Sequence, residues 1–84
     1  MYKLAIKKSA RKELDDLPDQ DFLKIDKAIF SLRDNPFPYP QAKKLKGDDR
    51  CRLRVGDYRV VYAVDESRKI ITIYRVRHRR DVYR

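Results

Sequence analysis

The stretch RCRLRVGDYRVVYAV, Arg50 to Val64, decides how the rest of the chain is read. Arg50, Arg52 and Arg54 alternate with Cys51, Leu53 and Val55, so at the strand period of two the arginines share one face and the apolar side chains the other. Gly56-Asp57 supplies a two-residue reversal, because glycine tolerates the positive φ that tight hairpin turns demand. Past the turn, Tyr58, Val60, Tyr62 and Val64 form one face, and Arg59, Val61 and Ala63 the other. The expectation is a hairpin that carries three arginines on one strand and a fourth beside them, a shallow cationic surface on a sheet.

Upstream, Tyr2, Leu4 and Ile6 alternate with Lys3, Ala5 and Lys7, which predicts a half-buried first strand. Ser9 is placed to cap a helix in which Ala10, Leu14 and Leu17 recur at helical spacing until Pro18. A second helix starts at Pro18 or Asp19, with Phe22, Ile25, Ile29 and Leu32 as its apolar stripe and Asp19 and Asp21 suiting its dipole. Asn35-Pro36-Phe37-Pro38-Tyr39-Pro40 ends it in an extended connection. Lys43–Lys46 forms a brief strand-like segment ending at Gly47. After the hairpin and an Asp65-Glu66-Ser67-Arg68 turn, Lys69 to Val76 reads as a further strand. The tail from Arg77 to Arg84 is too polar to be core, and its attachment to a strand holds it near the sheet. The expected fold is α+β in two layers: two N-terminal helices packed on a four-stranded antiparallel sheet in the order β-α-α-β-β-β.

At 84 residues the chain is expected to be one domain, residues 1–84, burying roughly 60 to 65% of its unfolded surface. The net charge of +9 is uneven: residues 43–84 hold 14 Lys/Arg against 6 Asp/Glu, whereas residues 1–42 hold 8 against 7. A field concentrated in one half points to a polyanionic partner, since cations that neutralise phosphates gain affinity by counterion release. The bland alternative is a basic protein with solvated charges. The single cysteine, Cys51, excludes an internal disulfide and falls on an apolar face, where an inert thiol is expected. One histidine and one cysteine give no metal-ligand spacing, so neither metal nor cofactor is expected. With no signal peptide and no apolar run near ~20 residues, no membrane association and a cytoplasmic location are expected.

Six residues are candidates for chemistry: Arg52, Arg54, Arg59, His78, Arg79 and Tyr83. Arginine presents a charged planar fork matched to phosphate oxygens and can offset charge developing on phosphorus. Alone, such groups argue only for binding. His78 is the one side chain whose ordinary pKa lies near neutrality, and Tyr83 adds a hydroxyl and a ring on which a splayed base can stack. Against this, a lone histidine in a polar tail is more commonly a solvated residue, and Arg68, Arg75 and Arg77 read equally as surface charges. Tyr58, Tyr62 and Tyr74 are expected to pack within strands. Lys43, Lys44, Lys46, Arg50, Arg77 and Arg80 are the candidates for contacts to RNA.

KKLKG at Lys43–Gly47, RLRVGDYRVVY at Arg52–Tyr62 and VRHRRDVYR at Val76–Arg84 resemble, over essentially the whole chain, the RelE/ParE superfamily of toxin-antitoxin toxins, on its RelE side. The resemblance implies a ribosome-dependent endoribonuclease that cuts messenger RNA in the decoding site and is silenced by a cognate, RelB-like antitoxin. Heterotetrameric or larger toxin-antitoxin complexes are among its implied assemblies. Two basic residues before the hairpin turn match Arg52 and Arg54, the arginine after it matches Arg59, and the C-terminal arginine and tyrosine match Arg79 and Tyr83. The best-known RelE enzyme has lysines where this chain has Arg52 and Arg54. Arginine hardly serves as a general base, and some relatives use a histidine near the C-terminus, which makes His78 a substitute. The alternatives are a ParE-like inhibitor of DNA gyrase and a non-catalytic basic RNA-binding module.

Overall fold

A computed structural model describes residues 1–45, 47 and 49–82, with the backbone alone at 81 and 82. The elements in chain order are β1 (Lys3–Ile6), α1 (Lys8–Asp15), α2 (Asp19–Ser31), β2 (Ala42–Lys44), β3 (Arg50–Val55), β4 (Tyr58–Asp65), β5 (Ile70–His78) and α3 (Arg79–Val82). The hairpin falls where alternation puts it, with Val55 paired to Tyr58 and Gly56 at φ 59° in the turn.

The sheet has five strands in the order β1-β5-β4-β3-β2, and it is mixed. This corrects the four-stranded antiparallel expectation in two respects. Ala42–Lys44 is a true strand, pairing antiparallel with Leu53, Arg52 and Cys51. β1 pairs parallel with β5, Lys3 opposite Ile70 through Ile6 opposite Ile73. Parallel pairing requires a long crossover, and here the helices, β2 and the hairpin all lie between the partners, so no local signal announces it.

α1 and α2 cover one face. Ala10 and Leu14 of α1, Ile25 and Ile29 of α2 and the following Leu32 are buried against Cys51, Leu53, Val55, Val60, Tyr62, Ile71, Ile73 and Val76. Tyr62 is fully enclosed, and its hydroxyl donates to the Pro36 carbonyl at 2.7 Å, which ties the connection after α2 to the centre of the sheet. Ser9 does not cap α1. Lys7 N–H donates to Ile73 O at 2.9 Å, extending the chain along β5 until the helix begins at Lys8. The Ser9 hydroxyl instead donates to Tyr74 O at 3.0 Å.

β5 contains a bulge. Val61 pairs with Arg75 but Tyr62 pairs with Ile73, leaving Tyr74 as the extra residue. Ile71 and Ile73 are buried before it and Val76 after it, so the buried phase shifts by one at Tyr74. Strict alternation would have turned Arg75 and Arg77 into the core; the bulge turns them out and His78 in. The tail is correspondingly more regular than expected, continuing β5 to His78 and then forming α3.

Burial raises the Tyr62 phenol far above the ordinary tyrosine range. The unfolded chain ionises this group near pH 10 while the folded chain holds it neutral, so its contribution is intact below pH ~10 and lost as pH rises further, at about 1.4 kcal/mol per unit. Urea unfolding across alkaline pH should show this slope. Tyr62→Phe should flatten it, at a cost of about 1 kcal/mol near neutrality for the lost hydrogen bond.

Candidate functional site

The face of the sheet opposite the helices carries the cations, and strand register arranges them. Arg54 is directly opposite Arg59, and Arg59 is directly opposite Arg77. One row along, Lys43 is opposite Arg52, Arg52 opposite Val61, and Val61 opposite Arg75. Side chains of facing strand residues begin about 4.5 to 5.5 Å apart, so these rows form one cationic field. A depression of about 340 Å³ opens here, lined by Pro40, Gln41, Lys43, Arg52, Arg54 and Arg59. Its rim is fixed by backbone: Arg54 N–H donates to Gln41 O at 2.9 Å, and Ala42 N–H to Pro38 O at 2.8 Å.

Among the described residues, no carboxylate pairs with Lys43, Arg52, Arg54 or Arg59. Arg59 is steadied by its own strand, its Nη1 donating to Tyr58 O at 3.1 Å. Arg50 lies on the same face further along β3, its guanidinium 4.2 Å from the centre of the Tyr74 ring. Small residues leave the middle of the field low: Ala63 stands opposite Arg50, and Val61 between Arg52 and Arg75. The arrangement can grip a phosphodiester from several sides and stabilise added negative charge on it.

The remaining sequence candidates divide. Lys44 is paired with Cys51 and so alternates away from Lys43, toward the helix side of β2. Burial pushes the Cys51 thiol up, against a smaller lowering by the Lys44 ammonium, as expected of an unreactive cysteine. Arg79 opens α3, where its N–H donates to Asp57 O at 2.6 Å, so the tail is bound to the hairpin turn two residues from Arg59. Arg80 follows it on α3, exposed. Lys46 and Tyr83 lie outside the described residues.

His78 is turned from the arginines. Its ring meets Tyr58 edge-on at 5.2 Å and 84°, in a separate depression of about 200 Å³ that also includes Asp21, Lys24 and Val55. Tyr58 donates from its hydroxyl to Asp21 at 3.2 Å, and its pKa is raised by desolvation, with Asp21 adding to the shift. Nδ1 of His78 accepts the Arg80 N–H at 3.2 Å. Here the ring joins the tail to the hairpin rather than to the cationic field.

Sequence reasoning missed Glu13. This carboxylate on α1 accepts Val76 N–H at 2.8 Å and binds Arg75 through both oxygens at 3.2 and 3.0 Å. Arg77 lies 3.6 Å away. No metal-ligating group of three or more His, Cys, Asp or Glu gathers among the described residues, and no helix there is long and apolar enough to cross a membrane.

Residues 4–83 match the family model of the ParE toxin of type II toxin-antitoxin systems, parDE. The chain belongs to the RelE/ParE superfamily of type II toxins. It is 35% identical to the RelE1 protein of Methanocaldococcus jannaschii over 99% of its own length and 96% of that relative's. The archaeal RelE-RelB complex from Pyrococcus horikoshii contains a chain superposing with a TM-score of 0.83 at 32% identity, covering 93% of this chain and 94% of that one. The RelBE2 complex of Mycobacterium tuberculosis gives 0.81 at 26% identity, covering 92% and 96%. The toxin's α+β architecture, α1 and α2 packed on a five-stranded mixed sheet, is thus the RelE-like one.

The Arg54–Arg59 juxtaposition has a measurable cost. Arg54→Gln removes one of two like charges directly opposite each other and should raise unfolding stability at low salt by roughly 0.2 to 1 kcal/mol. Chemical unfolding at low and high salt checks this; screening should shrink the gain.

Proposed function

We propose that this toxin is a ribosome-dependent endoribonuclease of the RelE type, acting on translated messenger RNA. The observation that carries the reading is the Arg54–Arg59 row with Arg52 and Lys43 beside it, a surface without carboxylate partners among the described residues, around a depression of phosphodiester scale. Similarity to RelE1 of Methanocaldococcus jannaschii and to chains of the RelE-RelB and RelBE2 complexes supports it. In the reaction, the substrate's 2′-oxygen bonds to the adjacent phosphorus as the bond to the 5′-oxygen breaks. The 2′-OH proton passes to a base, and an acid protonates the leaving oxygen. Arg52, Arg54, Arg59 and Arg79 stabilise the added charge, as a bound cation does in metal-assisted phosphoryl chemistry. The products are a 2′,3′-cyclic phosphate and a 5′-hydroxyl.

Proton transfer is assigned to Tyr83 rather than His78. A histidine packed on Tyr58 with its Nδ1 engaged by Arg80 N–H is suited to positioning the tail. Tyr83 is flanked in sequence by Arg79, Arg80 and Arg84, and cations near a phenol favour its phenolate. The partner is a RelB-like antitoxin: an acidic segment that folds on binding would complement the cationic face, and Leu23 and Phe30, 66% and 59% exposed on α2, offer apolar footing. The ParE reading rests on the match of residues 4–83 to the ParE toxin family and makes the toxin a gyrase inhibitor without RNA chemistry.

Translation reactions with ribosomes and a defined message, followed by mapping of RNA ends and run beside gyrase supercoiling assays, separate these readings. Arg59→Ala and Arg79→Ala should each slow single-turnover cleavage about 10²- to 10³-fold, the scale of removing one preorganised donor. Tyr83→Phe should reduce the rate strongly, and His78→Ala should leave the pH-rate profile in place. Inhibition of supercoiling with no new RNA ends would replace this reading by the ParE one.

A further inference from the structure

Four contacts converge on the Glu13 carboxylate, and three involve cations of the functional face. Oε1 accepts from Arg75 Nε and Val76 N–H, and Oε2 accepts from Arg75 Nη2 and lies beside Arg77 Nε. The Glu13 side chain is 22% exposed, against 42% and 43% for Arg75 and Arg77. The two-oxygen grip on Arg75 is the geometry arginine also adopts with phosphate. Arg77 stands directly across from Arg59, and Arg75 lies in the row of Lys43 and Arg52. Without Glu13 the open cationic field would run across four strands, from β2 to β5. With it, the field ends at Arg59.

We propose that Glu13 is an internal stand-in for phosphate, a positioning residue that occupies Arg75 and Arg77 and confines single-stranded RNA to the half of the sheet formed by Lys43, Arg52, Arg54 and Arg59. The inference rests on the reading of that surface as RNA-binding. A phosphate approaching Arg75 would meet a like charge already in place. To displace it, the phosphate would also have to leave Val76 N–H without its acceptor. Neighbouring strands are about 4.8 Å apart, so an unguarded β5 would offer the RNA a second track one strand over, with its phosphates misplaced relative to Arg59. Glu13 thereby sets register without touching the substrate.

Glu13→Gln keeps the side chain's size and an oxygen for Val76 N–H while removing the charge. The probe is a labelled oligouridylate bound to the full-length toxin over a range of salt concentrations. Each phosphate neutralised on a single strand contributes about 0.7 to the slope of log K against log salt. Glu13→Gln should steepen that slope by about 0.7 to 1.4 and tighten binding roughly 5- to 25-fold at 0.1 M salt. Adding Arg75→Gln and Arg77→Gln should return both quantities to their starting values. In the wild-type background Arg75→Gln should leave the slope unchanged, which keeps the test open if circular dichroism shows Glu13→Gln unfolded. An unchanged slope in folded Glu13→Gln, or a slope about 0.7 shallower in Arg75→Gln, overturns the inference. The joint variant Arg52→Ala, Arg54→Ala, Arg59→Ala separates the two readings. If it leaves the slope unaltered, the surface is not the RNA site and both fall; if it flattens the slope while Glu13→Gln does nothing, the Glu13 inference alone falls.

Discussion

One extra residue in β5, Tyr74, determines what each face of the sheet offers. Before it, Ile71 and Ile73 complete the core; after it, Val76 does, and Arg75 and Arg77 on either side of Val76 are swung to the open side. A bulge leaves ladder groups to be satisfied by something other than the neighbouring strand, and this one occurs where β1 has already ended. α1 takes over the exposed edge. Ser9 donates to Tyr74 O and Glu13 accepts Val76 N–H, so a helix supplies through side chains what a longer β1 would have supplied through backbone. The same carboxylate then holds Arg75 and Arg77. Edge protection and charge organisation are two consequences of one contact.

The cationic face stands against the rest of the energetics. Like charges directly opposite one another on adjacent strands destabilise a sheet, yet Arg54 and Arg59 are placed so. The opposing layer can bear this because its buried side chains form one continuous cluster from Ala10 to Val76, with its one enclosed hydroxyl, that of Tyr62, satisfied by Pro36 O. Strain of this kind concentrates where function resides, and here it coincides with the depression bordered by Pro40 and Gln41. Arg77, the third member of the row, lies 3.6 Å from the Glu13 carboxylate and shares it with Arg75.

The hairpin, its register and the arginine face were legible because alternation and a two-residue Gly-Asp turn are local signals that burial reinforces. The helices were legible to within a residue or two for the same reason. Parallel pairing of β1 with β5 was not, since nothing in Lys3–Ile6 names a partner so distant in the chain. The bulge left a trace: apolar residues at 71 and 73 followed by one at 76 break the strand period, and following that break would have turned His78 toward α2. Glu13 had no such trace. An acidic residue amid Arg11, Lys12 and Asp15 on a short helix reads as solvated, and its partners lie 62 and 63 residues downstream.

Superposition alone does not choose between RNA cleavage and gyrase inhibition, because one fold can carry unrelated activities on different side chains. The choice lies in what the face presents. A binding surface for a folded protein can spread its charge and needs buried anchors, whereas a site for phosphoryl transfer needs donors converging where charge develops. Lys43, Arg52, Arg54 and Arg59 converge on one depression, and Arg79 is bound by its backbone to the turn beside them. Glu13 closes the field on the β5 side instead of extending it. A bounded, convergent set of cations suits a single phosphate in a single register, which is what cleavage by the substrate's own 2′-oxygen requires.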